Sequence, residues 1–306
     1  MKILVFGTGG IGGFLSAALA RIHPDTYVYA RGENAAVIEK EGIHVQSVTL
    51  GDFTAHPQVV TRQNIGKMGA ADVIFMACKG NTLEAACKAI VPAVAPQTIV
   101  IPLLNGVMVS DMMAPFLPKC LLADGTIRIF SHREAPGQIV HTSAPGEIVL
   151  GVKGGKNPPL LNEVAALLHK AGLPATVTTE IETASWRKFL FICSNSLMNL
   201  YYHGPAGVVR QHRDYRRVLL GNIDNLLAIA KAAGVPLPAS QKEDTLDFFE
   251  QLGDDGMTSL YRDIQDGKDV QDTEFDHLIG RYRALGQKYH VPTPYADAVY
   301  QKYTHQ

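Results

Sequence analysis

Residues 1–20 read MKILVFGTGGIGGFLSAALA, and this stretch decides the fold. A positive residue, an apolar run and a closing Ala-Leu-Ala imitate a secretory signal. The glycines at 7, 9, 10, 12 and 13 argue otherwise, because they would break the apolar helix of such a signal. Lys2 to Phe6 reads instead as a short buried strand, and Ile11 to Arg21 as a helix. Between them lies Gly7-Thr8-Gly9-Gly10-Ile11-Gly12, which is G-x-G-x-x-G. Strand, glycine turn and helix, in that order, form the context that a dinucleotide fingerprint requires. Gly7 makes the tight turn, Gly9 lets backbone approach a pyrophosphate, and Gly12 lets the helix pack on the strand. Gly10 and Ile11 complete the cofactor-binding set, at a helix N-terminus whose N–H groups and positive dipole end suit phosphates.

The next element refines this. Tyr27-Val28-Tyr29-Ala30 is a strand ending in Arg31-Gly32. The residue after the second strand lies beside the adenosine ribose. An acid there would accept from the 2′-hydroxyl of NAD, whereas an arginine pairs with the 2′-phosphate of NADP. The chain has Arg31 there, and no Asp or Glu follows the strand until Glu33.

At 306 residues the chain suggests two domains, and 46% hydrophobic residues supply large cores. A disordered chain and a disulfide scaffold are excluded. Lys plus Arg is 28 against 29 for Asp plus Glu, with no block of five like charges, which argues against a nucleic-acid partner. Cys78, Cys87, Cys120 and Cys193 form no C-x-x-C pair and no zinc spacing, so no metal is expected. Cys78, Cys87 and Cys193 sit in apolar runs as buried reduced thiols, which points to a cytoplasmic protein. The apolar stretch 89–109 is interrupted by Pro92, Pro96 and Pro102 and is no membrane span.

Residues 72–78 (DVIFMAC) are a third buried strand, followed by Lys79 and a helical stretch to Val91. Residues 98–104 (TIVIPLL) are another, ending in Asn105-Gly106. Strand-like pieces follow at 120–130, 138–141 and 147–150, then a helix at 159–171 and a strand at 175–178. Alternating strands and helices mean a mostly parallel, doubly wound α/β sheet. After about residue 180 the pattern is helical throughout: 180–200, 213–233, 241–252, 257–265 and 273–289, punctuated by Gly-Pro and Pro-Thr-Pro. The expected domains are therefore 1–179, dinucleotide-binding, and 180–306, all-helical.

Ligands in open α/β sheets bind beyond the carboxyl ends of the strands, which singles out Lys79 and Asn105. A second cluster opens at Trp186-Arg187-Lys188-Phe189. Lys188, Ile192, Asn195 and Asn199 fall within about 40° of one another on that helix. A lysine there can give a proton to a carbonyl oxygen that receives hydride. Ser259 and Glu274 form a third cluster.

Together these clusters resemble the ketopantoate reductase (2-dehydropantoate 2-reductase) family over nearly the whole length. The matching stretches are GTGGIGG at 7–13, ARG at 30–32, CK at 78–79, NG at 105–106, WRKF at 186–189, TSLYRDIQDGK at 258–268 and TEFDHLIG at 273–280. The resemblance implies a Rossmann-type domain, a helical domain and a site in the cleft between them. It implies NADPH-dependent reduction of 2-dehydropantoate on the pantothenate route, with a small-molecule 2-keto acid as partner. By the same resemblance Lys188 is the catalytic lysine and Glu274 the glutamate that holds the substrate hydroxyl. Asn105, Ser259 and Lys79 then line cofactor and substrate. The chain departs from the family at Ile192, Ser196 and Ala206, where asparagine is common. Asn195 is the nearest amide that could replace them as a substrate-binding group. Another branched or aromatic 2-keto acid, or a dinucleotide sensor without turnover, are the competing readings. A homodimer is compatible with the sequence, which does not fix the oligomeric state.

Overall fold

The computed structural model describes residues 1–143 and 146–304. It divides into two compact units, one of residues 1–104 and 108–181, the other of residues 105–107 and 182–306. The short segment Asn105–Val107 thus groups with the helices, although it follows directly on a strand of the first unit.

In the first unit β1 (Ile3–Phe6), α1 (Gly10–Ala20), β2 (Thr26–Tyr29), α2 (Gly32–Glu41), β3 (Ile43–Ser47), β4 (Phe53–Ala55), β5 (Gln58–Val60) and β6 (Val73–Met76) come first. They are followed by α3 (Leu83–Ile90), β7 (Ile99–Pro102), α4 (Val109–Met113), β8 (Leu121–Leu122) and β9 (Asp124–Ile127). Then come β10 (Ser131–Ala135), β11 (Gln138–His141), β12 (Ile148–Gly151), α5 (Pro159–Lys170) and β13 (Ala175–Val177). The main sheet is parallel, in the order β5-β2-β1-β6-β7-β8. Its central strands are apolar at every position because both faces are covered. Ile3, Val5, Val73 and Phe75 point into the core that contains α1, and Leu4, Phe6, Ile74 and Met76 into the core that contains α3.

Two further sheets were not expected. One has the order β10-β11-β3-β4, the other β13-β12-β9. The strands β3, β4, β5 and β10 and the helix α2 escape the sequence reading. Those strands are short and mix polar with apolar residues (IHVQS, FTA, QVV, SHREA), so they lack a long apolar run. The single strand-like piece expected at 120–130 is broken. β8 closes the edge of the main sheet, while β9 pairs antiparallel with β12. Cys87 and Cys193 are buried, but Cys78 is only half-buried, just beyond β6; none of the four cysteines is in a disulfide.

The second unit holds α6 (Ile181–Tyr202), α7 (Ala206–Arg210), α8 (Tyr215–Ala232), α9 (Gln241–Gln251), α10 (Ser259–Gln265), α11 (Arg281–Lys288) and α12 (Pro294–Thr304). Among the described residues it contains no strand. The helix expected at 273–289 is interrupted by a π-turn at Asp276–Gly280. The helices α7 and α12 were missed, although Pro205 caps α7 and Pro294 opens α12, where its fixed φ suits a first helical turn. No helix among the described residues is long and apolar enough to cross a membrane.

His141, on β11, fastens the second sheet to α1. Its ring stacks on Phe14 at 4.3 Å between centroids. Ser47 Oγ accepts from the Leu50 N–H at 3.0 Å, so its own proton is directed to His141 Nδ1 at 2.9 Å. The proton on Nε2 then goes to Ser143 Oγ at 3.1 Å. The imidazole is therefore held neutral, and burial pushes its pKa below the ordinary 6.5. As pH falls through the unfolded value toward the lower folded one, the unfolded chain takes up the proton first, so stability falls. Urea unfolding midpoints should drop between about pH 7.5 and 5.5, and His141→Phe should flatten that slope. An unchanged slope in the variant would remove His141 from this role.

Candidate active site

The glycine turn is built by backbone packed on backbone. Gly7 has φ +110°, and a Cβ there would stand 2.7 Å from Ala77 O. At Gly12 a Cβ would stand 2.2 Å from Gly7 O, so any side chain would lift α1 off the main sheet. Gly10 serves the second sheet instead: its Cβ would lie 2.1 Å from Ser131 O on β10. Gly9 differs from all of these, since a Cβ there would meet nothing within 4 Å. It is the N-cap of α1, which has no side-chain cap and no acid in its first turn. Open space therefore faces uncapped N–H groups, including those near Ile11, at the positive end of an eleven-residue helix. These residues fit a dinucleotide pyrophosphate.

Arg31 is the N-cap of α2 and is exposed, with Glu33 in the first turn behind it. Lys79 is also exposed, directly beyond β6. Its carbonyl accepts from the Thr82 N–H at 3.0 Å and from the Thr82 hydroxyl at 2.9 Å, which turns the chain away from the strand end.

In the helical unit, α6 runs unbroken because no Gly or Pro falls between Ile181 and Tyr202. Lys188 lies in its second turn and is only 8% exposed. Asn105 Nδ2 donates to Glu274 Oε2 at 3.2 Å, joining two predicted site residues that are 169 positions apart. His277 adds a second link: its Nε2–H donates to the Asn105 carbonyl. Burial lowers the His277 pKa, which favours the neutral ring. Sequence reasoning missed His277, for which one histidine on a helix gives no signal. Its position inside a π-turn, a feature often found at functional sites, becomes visible only in the fold.

Two asparagines of the α6 stripe are committed elsewhere. Asn199 Nδ2 donates to Gly204 O at 2.9 Å, and its Oδ1 accepts from the Thr258 N–H at 3.0 Å. Thr258 in turn caps α10, so Asn199 fixes the position of the exposed Ser259 that follows. Asn195 was expected as a substitute amide for substrate. It is 4% exposed, and its Nδ2 donates back to Phe191 O at 2.7 Å, one helical turn earlier. That internal bond takes up one of its two amide protons, and its Oδ1 has no hydrogen-bond partner among the described residues.

Comparison with known proteins agrees with this architecture. The family model described as "Ketopantoate reductase PanE/ApbA" matches residues 3–155, and its C-terminal counterpart matches residues 180–305. An uncharacterised oxidoreductase, YkpB, of Bacillus subtilis is 24% identical over 98% of this chain and 97% of its own length. The crystal structure of 2-dehydropantoate 2-reductase from Methylococcus capsulatus is similar with a TM-score of 0.86 and 25% identity, covering 99% of this chain and 95% of that one. A D-mandelate dehydrogenase, solved with NADH and anilino(oxo)acetate, shares the fold at a TM-score of 0.85 and 20% identity, over 98% and 96% of the two chains. With both family models matched across most of its length, this chain belongs to the ketopantoate reductase family of oxidoreductases.

Proposed function

We propose that the chain reduces a 2-keto acid to the 2-hydroxy acid with NADPH, and that 2-dehydropantoate is its substrate. The observation that carries this reading is the Asn105–Glu274 hydrogen bond in the unit that also buries Lys188. The turn at 7–12 would hold the pyrophosphate, Arg31 the 2′-phosphate, and Lys79 and Asn105 the remainder of the dinucleotide. When bound, the reduced nicotinamide supplies the hydride for the keto carbon. Lys188 gives a proton to the keto oxygen, so that the new alkoxide is never released as such. The Glu274 carboxylate accepts from a substrate hydroxyl and is aimed by the Asn105 amide. Ser259, at the start of α10, adds a hydroxyl contact to the acid. Retention of both Lys188 and Glu274 speaks against a sensor without turnover, which would need no proton donor.

Lys188→Ala should lower kcat about 10²–10⁴-fold while NADPH still binds. Single-turnover NADPH oxidation measures this, and a variant that keeps a third of the wild-type rate would end the role. Arg31 pairs a fixed guanidinium with a phosphate, and a hydrogen bond to a charged group is worth about 1.5–3 kcal/mol. The wild type should therefore favour NADPH over NADH by at least about tenfold in kcat/KM, with Arg31→Ala hitting NADPH harder. Equal use of the two cofactors by the wild type would refute this.

The half-buried Ile192 is one turn beyond Lys188 and adds no second partner to the C4 hydroxyl of the substrate, which is left to Glu274 alone. Neither Asn195, bonded to Phe191, nor the fully buried Ser196 compensates. The ratio of kcat/KM for 2-dehydropantoate over 2-ketoisovalerate, which lacks that hydroxyl, should stay below about 10⁴. Ile192→Asn should raise it. A higher wild-type ratio, or no gain in the variant, would show that another group reads the hydroxyl.

A further inference from the structure

The side chain of Thr8, inside the glycine turn, has no part in the reading above. Asn34, in the first turn of α2, is only 7% exposed and stands between two partners. Its Oδ1 accepts from the Gly137 N–H at 2.8 Å, and its Nδ2 donates to Thr8 Oγ1 at 2.5 Å. Only one orientation of this amide satisfies both. A backbone N–H can only donate, so Gly137 must face the amide oxygen, and the NH₂ group is then turned to Thr8. Thr8 Oγ1 is thereby made an acceptor, and its own proton remains to be donated. Among the described residues that proton has no acceptor. The next residue is Gly9, the one position in the turn where added atoms would find open space. The hydroxyl thus stands between the N-terminus of α1 and that of α2, which Arg31 caps.

We propose that Thr8 is a cofactor-binding residue that donates a hydrogen bond to a phosphate or ribose oxygen in the adenosine half of NADPH. Asn34 is the positioning residue that aims it, and the turn before β11 holds Asn34 in register through Gly137. The inference rests on the NADPH reading of the same site. It makes position 8 a side-chain contact, whereas the fingerprint itself asks only for glycines and backbone N–H groups around it.

The probe is adenosine 2′,5′-bisphosphate, which contains that half of the cofactor alone, titrated by calorimetry beside NADPH. Thr8→Val keeps the shape and removes the hydroxyl, which is both the free donor and the acceptor of Asn34. It should weaken both ligands about tenfold or more, in titrations run well below the unfolding midpoint of the variant. Thr8→Ser should bind like the wild type, and Asn34→Ala should weaken the same two ligands as Thr8→Val does. Wild-type affinity in Thr8→Val would overturn the proposal while leaving the NADPH reading intact. Equal weakening in Thr8→Ser, which keeps the hydroxyl, would overturn it too, as the mark of a role in shape alone. Failure of the wild type to bind either NADPH or the bisphosphate would instead sink the cofactor reading, and this inference with it.

Discussion

The first unit depends on the first turn of α1 lying close against two sheets, with no side chain at Gly7, Gly10, Gly12 or Gly13 to hold it off. Gly7 and Gly12 bring it onto the main sheet, where added Cβ atoms would meet Ala77 O and Gly7 O. Gly10 and Gly13 bring it onto the second sheet, where they would meet Ser131 O and the Ile139 side chain at 2.1 and 2.5 Å. The glycine-rich turn is thus a clamp with two sides, and only Gly9 is left over for a ligand. The close packing has a direct electrostatic consequence. The N–H groups of the first turn cannot be capped by a side chain from within the turn, so the positive end of the helix stays available for an anion.

The legible part of the fold follows from burial on both faces. β1, β6 and β7 are apolar at every position, and their ends give Gly7, Lys79 and Asn105 directly. The second sheet was illegible for the opposite reason. In β3, Ile43, Val45 and Ser47 are buried while His44 and Gln46 are more open, a five-residue alternation too short to separate from loop. The π-turn at 276–280 was hidden as well, because its residues have ordinary helical spacing and the extra residue per turn shows only in the backbone.

At the site, residue types were readable but their partnerships were not. The Lys188–Asn199 stripe reads as polar groups on an apolar helix that need partners if buried. Where a partner lies depends on elements far away in the chain, as Thr258 does for Asn199. Asn105 came from its place at a strand end and the role of Glu274 from resemblance, and the bond between them is a fact of the fold alone. His277 and Asn34 had no signal at all, since each acts by holding a backbone group that the sequence cannot place.

The departures from the family pattern acquire physical content here. Ala206 is fully buried, and its N–H is already bonded to Gly256 O at 2.8 Å. A longer amide at that position would have to displace packed atoms, so it is not a simple vacancy for the lost asparagine. Ser196 is equally buried, and its Oγ has no hydrogen-bond partner among the described residues. The Asn195 Oδ1 on the preceding residue is buried without one as well. Unpaired buried polar atoms each cost about 1–3 kcal/mol, and native structures hold few of them. Two stand on consecutive residues of α6, about two turns beyond Lys188, so this stretch of helix carries polar atoms whose hydrogen bonds the described residues do not complete. Asn195 turns its Nδ2 back to Phe191 O on its own helix, which satisfies one amide proton and leaves the Oδ1 without a partner.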